Sequence, residues 1–308
     1  MNLKKQQRAG IWGFIVGDAL GVPYEFSDRS YMKENPASSM TGFGTHNQPP
    51  GTWSDDTSMM LCVLENIIKK GSVNILAKIF IKWYDEAYLT PHGKVFDMGI
   101  TTRLALDKIK LGVKPTAAGA HDEFSAGNGS LMRCLPYAFA DDFQKSMLKM
   151  LVENKVTHQL PICNECCLFY AKVIQALANG LQKEEAVKAG GAYLRFGNRI
   201  FYADKDQPKS NLSRLFSDQF KYFPESQIQS TGYVLHTLEA VIWCFLNSSN
   251  YADAVLKALN LGGDTDTIAA LTGGLAGVYY GYDNIPGEWL KQIVRGNDIE
   301  NLISNIAS

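Results

Sequence analysis

The chain has 308 residues, 46% of them hydrophobic, which is enough to bury a large core. Its 30 Lys and Arg balance 31 Asp and Glu to a net charge of -1. No global field therefore attracts nucleic acid or an anionic membrane, and we expect neither as a general partner.

Membrane insertion and secretion are not indicated by the sequence. No apolar run has the length of a membrane span. The apolar run after the basic N-terminus is interrupted by Gly13, Gly17 and Asp18, so we interpret it as part of a mature helix and not of a signal peptide. Most of the six cysteines lie in apolar helical patterns, which favours reduced thiols and a cytoplasmic location.

Helical periodicity, together with start and stop signals, predicts helices along most of the chain. In chain order they cover 3–19, 56–70, 73–88, 97–110, 130–139, 143–153, 161–179, 183–194, 231–247, 251–260, 266–281 and 287–305. Alternating strand patterns are scarce. We therefore predict an all-α fold that forms one compact domain over residues 1–308.

The predicted helix 266–281 is unusually rich in small residues, among them Gly273, Gly274 and Gly277. A glycine costs about 1 kcal/mol in a helix interior, so several of them need a packing reason. Small residues let neighbouring backbones approach closely, and we predict that this helix is central.

An oxygen-rich loop directly precedes that helix. Asp264, Thr265, Asp266 and Thr267 follow two glycines and offer two carboxylates and two hydroxyls. One such residue suffices to cap a helix, whereas a hard cation such as Mg²⁺ binds clustered oxygens. The sequence alone leaves both interpretations open, a metal site and an over-provided cap.

A second acidic cluster lies far upstream, at the start of the predicted helix 56–70. Ser54, Asp55 and Asp56 again place hydroxyl and carboxylate oxygens before an apolar run. If the two helix starts converge, their carboxylates would repel one another unless a cation neutralised them. The alternative is two ordinary caps on remote helices.

Two weaker segments complete the candidate set. Asp18 lies close before Glu25, which is flanked by aromatic residues and is suited to partial burial. The segment Gly127–Arg133 has two glycines that expose backbone amides ahead of a predicted helix, as phosphate-binding turns do. Alone, each also fits an ordinary cap or turn.

Taken together, these segments resemble one family, the ADP-ribosylglycohydrolases, which includes dinitrogenase reductase-activating glycohydrolase. The matching segments are Gly17–Gly21, Trp53–Thr57, Gly127–Arg133 and Gly262–Thr267, strengthened by Thr157–His158 and Ser230–Ala240. The combination is specific although each piece is weak. The resemblance implies an orthogonal helical bundle with a centre of two metal ions, Mg²⁺ or Mn²⁺.

The resemblance also implies residue roles. One ion would be held by Ser54, Asp55 and Asp266, and the other by Asp264, Asp266 and Thr267, with Asp56 either as a further ligand or as an acid that supports the ligands. Catalytic roles fall on Glu25, Asp55 and Asp56, because glycosidic cleavage needs a carboxylate near the anomeric carbon. The substrate-binding residues implied are Gly127, Asn128, Gly129 and Ser130 for a ribose or the diphosphate, His158 near the diphosphate, and Tyr233 over the nucleotide.

The function implied is a metal-dependent hydrolase that cleaves the bond between ADP-ribose and a modified protein side chain, with the arginine linkage favoured. Its partners would be an ADP-ribosylated protein and the product ADP-ribose, and we expect a monomer. The alternatives are a non-enzymatic ADP-ribose-binding or crystallin-like relative, and a hydrolase of small ADP-ribosyl metabolites or ADP-ribosylated nucleobases.

Residues 195–229 interrupt the helical pattern with polar and aromatic residues. We interpret them as a surface excursion with a short helix at 211–220. Long loops in compact domains are usually functional or disordered, and the aromatic content is too high for a free linker. We predict that this segment lies near the rim of the pocket and influences which modified partner docks.

Overall fold

In the computed structural model, which describes residues 3–201 and 211–307, helices account for most of the chain. The α-helices are α1 (Leu3–Gly21), α2 (Arg29–Glu34), α3 (Asp55–Ile68), α4 (Val73–Glu86), α5 (Ile100–Lys110), α6 (Pro115–Ala118), α7 (Phe143–Asn154), α8 (Pro161–Ala178), α9 (Lys183–Phe201), α10 (Val234–Leu246), α11 (Tyr251–Leu259), α12 (Thr265–Tyr280), α13 (Gly287–Gln292) and α14 (Gly296–Ser304). Short 3₁₀ helices lie at Val22–Tyr24, Gly44–His46, Glu123–Ser125, Leu135–Phe139, Asn211–Phe216, Phe220–Tyr222, Glu225–Gln227, Tyr282–Asn284 and Asn305–Ala307. Within the described ranges the β pairing consists of isolated bridges such as Gly127 with Tyr233. The predicted all-α class is confirmed.

Three of the predicted helices differ most from the structure. The segment 130–139 is a turn followed by the 3₁₀ helix Leu135–Phe139, in which Pro136 has no N–H to donate to an α-helix. The predicted helix 287–305 is two helices, separated where Arg295 adopts a left-handed φ of 58°. The helix predicted to end at 194 instead continues to Phe201.

The central feature of the fold is the close pairing of α1 with α12. A Cβ atom added at Gly13 would lie 2.3 Å from the carbonyl oxygen of Gly273, and one added at Gly17 would lie 2.1 Å from that of Ala269. Both positions therefore require the absence of a side chain. At the same interface, a Cβ on Gly21 would lie 2.3 Å from the Cα of Asp266. The small residues thus bring the acidic start of α12 directly against the end of α1, as the predicted central helix requires.

We expect Gly17→Ala to destabilise the protein strongly, because the new methyl group meets a backbone carbonyl that cannot move without separating α1 from α12. The cost should be about 3 kcal/mol, at the upper end of ordinary overpacking. Thermal unfolding followed by circular dichroism measures it. Gly287→Ala is the control, because no atom lies within 4 Å of the added Cβ, and its melting temperature should match the wild type.

The core includes part of the predicted excursion 195–229. Four of its apolar side chains are at most 2% exposed: Leu212, Leu215, Phe220 and Ile228. They anchor the stretch to the helices, which explains its aromatic and apolar content. Residues 202–210 lie outside the described residues. The role of the stretch at the pocket rim stays a prediction.

None of the helices in the described residues combines the length and apolar content that a bilayer-crossing segment needs. All six cysteines are buried free thiols.

Candidate active site

The start of α3 is fixed by a carboxylate on α1. Asp18 is fully buried, and its two oxygens accept hydrogen bonds from the backbone N–H of Ser54, both at 3.1 Å, and from that of Thr57 at 3.0 Å. These are first-turn amides that have no partner within a helix. Asp18 therefore caps α3 from outside, and this bond network sets the direction of Asp55 and Asp56.

The start of α12 is held in place by hydrogen bonds to the loops around it. Gly262 and Gly263 have φ values of 67° and 75°, in the left-handed region that favours glycine. The backbone N–H of Asp264 donates to Ser230 at 2.8 Å. The Thr265 hydroxyl points away from the carboxylates and donates to the carbonyl of Gly21 at 2.9 Å. The loop is thus rigid where its acidic side chains begin.

The two acidic helix starts converge. The hydroxyl of Thr267 on α12 lies 3.3 Å from a carboxylate oxygen of Asp56 on α3, although 211 positions separate them in the chain. The Ser54 hydroxyl lies 3.4 Å from the same carboxylate. Single oxygens of Glu25, Asp264 and Asp266 lie within 4.8 Å of one another. The two remote caps considered from sequence are therefore one acidic cluster.

The electrostatics of this cluster favour a cation. Burial first, and then the nearby charge of Asp264, raise the pKa of Glu25 to about 8. The pKa values of three more carboxyl groups lie well above their usual range, first through burial and then through the neighbouring carboxylates: Asp55, Asp56 and Asp266. So many buried acids repel one another unless they are protonated or neutralised by positive charge.

The donor set fits a divalent cation. Oδ1 of Asp56 and Oδ2 of Asp266 are buried oxygens without a hydrogen-bond partner. Buried polar atoms are almost always satisfied, so two orphaned carboxylate oxygens in one cluster indicate a missing positive partner. Carboxylate and hydroxyl oxygens are the ligands that Mg²⁺ and Mn²⁺ accept.

A cavity of about 260 Å³ opens above the acidic cluster. Of the predicted site residues, its lining includes Glu25, Asp55, Asp56, Gly127, Asn128, Gly129, His158, Asp264 and Thr267. Ser54 and Asp266 are each 1% exposed and lie beneath it, within the cluster. A larger cavity of about 380 Å³, between α9 and residues 215–222, shares no lining residue with this one.

The Gly127–Ser130 loop forms one wall of the cavity and is tied to the acidic cluster. The side-chain amide of Asn128 donates to Oδ2 of Asp264 at 2.7 Å and to the hydroxyl of Thr237 at 3.0 Å. The sequence predicted that the backbone amides of this loop are free to bind a phosphate. The backbone N–H of Asn128 instead donates to the carbonyl oxygen of Gly232. Ser130 is fully buried behind the loop, where its hydroxyl accepts from Cys167.

The predicted nucleotide contacts divide into a buried and an exposed residue. His158 lines the cavity, and burial lowers its pKa to about 3, so the ring is neutral; its contact with a diphosphate stays a prediction. Tyr233 is 38% exposed, pairs with Gly127 through a backbone bridge, and meets His236 edge-on at 4.8 Å. It stands beside the cavity and does not line it.

Sequence reasoning missed two residues of the site, His46 and Asp97. Nε2 of His46 contacts a carboxylate oxygen of Glu25 and lies 3.8 Å from one of Asp97. Burial, followed by the charge of Glu25, raises the pKa of Asp97 to about 7. Asp97 was predicted to lie within a helix 97–110, but α5 begins at Ile100 and Asp97 has a left-handed φ of 53°. Gly99, two residues after Asp97, was the signal in the sequence that this helix begins only at Ile100.

The fold defines the class of the protein. A solved structure described as an ADP-ribosylglycohydrolase-related protein complex matches the chain with a TM-score of 0.80 and 29% identity. The match covers 99% of this chain and 97% of the other. The family model of the ADP-ribosylglycohydrolases matches residues 1–308. The chain therefore belongs to the ADP-ribosylglycohydrolase family and is a hydrolytic enzyme.

Curated relatives agree with this assignment. The chain is 32% identical over 304 residues to ADP-ribosylarginine hydrolase Tri1 of Serratia proteamaculans, covering 97% of this chain and 78% of that protein. It is 28% identical over 287 residues to the ADP-ribosyl-(dinitrogen reductase) glycohydrolase of Rhodospirillum rubrum, covering 91% of this chain and 87% of that protein.

Proposed function

We propose that the chain is a metal-dependent hydrolase that releases ADP-ribose from ADP-ribosylated arginine on a protein. The observation that carries the proposal is the convergence of the α3 and α12 starts, joined by the Thr267–Asp56 contact at 3.3 Å beneath an open cavity. Two buried carboxylates with orphaned oxygens in that cluster support the metal requirement.

Two Mg²⁺ or Mn²⁺ ions are proposed for this centre. Ser54, Asp55 and Asp266 would hold one ion, and Asp264, Asp266 and Thr267 the other, with Asp56 as a further ligand. Divalent cations bound there supply positive charge that orients ribose hydroxyls and lowers the pKa of water. Asn128 and Asp18 keep the ligands in place, since each bonds directly to one of the two helix starts.

In the proposed reaction the chain's own carboxylates stabilise the positive charge of the transition state and accept a proton from water. Cleavage breaks the bond between the anomeric carbon of ribose and a guanidinium nitrogen, and a water oxygen takes its place. Glu25, which lines the cavity, is proposed to stabilise the oxocarbenium-like transition state or to accept the proton of the attacking water, and Asp55 and Asp56 are the other candidates for this base. The departing nitrogen leaves as a neutral guanidine and gains its proton afterwards.

The arginine linkage is favoured because two of the curated relatives are named ADP-ribosylarginine hydrolases, from Serratia proteamaculans and Pseudomonas putida. The proposal includes a monomer, the residues 1–308 as one domain, and a cytoplasmic location, which the six free thiols support.

Release of free ADP-ribose from a panel of linkages tests the proposal. Arginine-linked, serine-linked and nucleobase-linked substrates are incubated with the chelated protein and with Mg²⁺ or Mn²⁺ restored. We expect cation-dependent release from the arginine-linked substrate at the highest kcat/KM. Binding of ADP-ribose without any release would support the non-enzymatic alternative, and preferred release from another linkage would reassign the substrate.

A further inference from the structure

Two large apolar side chains stand at the mouth of the acidic cavity with most of their surface in solvent. Phe26 is 69% exposed and Ile100 is 68% exposed, and both line the cavity that Glu25 and Asp56 also line. Scattered single apolar residues on a surface need no explanation. Two exposed apolar residues at the rim of one charged cavity, however, need an explanation, because they come from different parts of the chain.

Phe26 is held in its exposed position at a cost. Its φ of 63° is a left-handed conformation that a bulky residue rarely adopts. The backbone N–H donates to the carbonyl of Gly263 at 2.7 Å, which locks the residue to the loop before Asp264. Its ring lies 6.4 Å from the ring of His46. Strained backbone of this kind persists at sites where a side chain must point in one direction.

Ile100 reaches the cavity from another direction. It is the first residue of α5, directly after Gly99, whose added Cβ would meet no atom within 4 Å. The mouth is therefore open beside Gly99, and the Ile100 side chain is mostly in solvent. The cavity thus has an acidic floor and an apolar rim formed by Phe26 and Ile100.

An apolar rim above the acidic cluster matches a side chain whose hydrocarbon stem passes through the mouth of the cavity. When the guanidinium-linked ribose lies over the carboxylates, the three methylenes of arginine must leave through the mouth. We propose that Phe26 and Ile100 bind the alkyl stem of the modified arginine and are specificity-determining residues for the arginine linkage. This inference rests on the proposed function and adds the part of the substrate that the rim recognises.

Three substrates with the same scissile bond test it: ADP-ribosylguanidine, which has no stem, free ADP-ribosylarginine, and ADP-ribosylarginine within a protein. The variants are Phe26→Asn, since Asn tolerates the left-handed backbone, and Ile100→Ser. Leu111→Ser is the matched control, because Leu111 is 86% exposed at the end of α5 and lies outside the cavity lining.

We expect the ratio of kcat/KM for free ADP-ribosylarginine over that for ADP-ribosylguanidine to fall about tenfold in each rim variant, since apolar contacts of this size discriminate by about that factor. The ratio should stay at the wild-type value in Leu111→Ser. An unchanged ratio in both rim variants would overturn the inference, as would a loss confined to the protein-linked substrate, which would indicate contact with the protein surface and not with the stem. If the wild type releases ADP-ribose from none of the three, the proposed function itself has failed, and the inference falls with it.

Discussion

An Asp266→Asn variant should bind divalent cations poorly and release ADP-ribose at least about 100-fold more slowly than the wild type. Asp266 lies beneath the cavity, and its Oδ2 is a buried oxygen without a hydrogen-bond partner. Asn keeps the shape and can still accept the backbone N–H of Thr267, which donates to Oδ1 at 2.9 Å. Only the negative charge and one anionic ligand are lost. Titration calorimetry with Mn²⁺ and the ADP-ribose release assay measure both effects.

Two further variants separate the ligands from the scaffold. Asp264→Asn should lose cation binding in the same way. Thr265→Ala should keep it, because that hydroxyl donates to the Gly21 carbonyl and not to the cluster, although losing the bond should cost about 1 kcal/mol of stability. If Asp266→Asn binds two ions and turns over at the native rate, the ligand assignment is wrong.

The chelated protein should lose stability as the pH rises from about 5 to about 8. Burial raises the folded-state pKa of Asp18 to about 6, that of Asp97 to about 7 and that of Glu25 to about 8. Unfolded carboxyl groups titrate near a pH of about 4. Between these limits the folded state holds more protons than the unfolded state, so raising the pH favours unfolding.

Thermal melts in EDTA and in Mg²⁺ at several pH values measure this effect. We expect the melting temperature in EDTA to fall by on the order of 5 °C between pH 5.5 and pH 8. Bound cations neutralise the carboxylates, so the fall should be much smaller in Mg²⁺. A chelated protein whose stability rises with pH over this range would contradict the account of the cluster.

The helices were predictable from sequence because each buries one face, and the 3.6-residue period of apolar side chains is local. Centrality of α12 was also predictable, since three glycines in one helix interior require a close neighbour. The errors arose where backbone conformation overrides periodicity. Arg295 divides the last predicted helix by adopting a left-handed φ, which no side-chain pattern signals.

The candidate site was predictable in its ligands but not in its surroundings. The two acidic helix starts have a strong local signal, yet only the family resemblance indicated that they meet. Their meeting depends on the backbone contact between Gly17 and Ala269, about 250 positions apart in the chain and therefore invisible to local patterns. His46 ends a three-residue 3₁₀ helix and Asp97 lies in a bend, and in segments this short a single polar residue carries no periodic signal.

The most direct test of the two-ion centre is a crystal structure of the wild type soaked in Mn²⁺, with anomalous differences collected near the manganese edge. We expect two peaks between the starts of α3 and α12, one beside Asp55 and one beside Asp264, with Asp266 contacting both. A map without peaks among these carboxylates, or with one peak that Asp266 does not contact, would contradict the account.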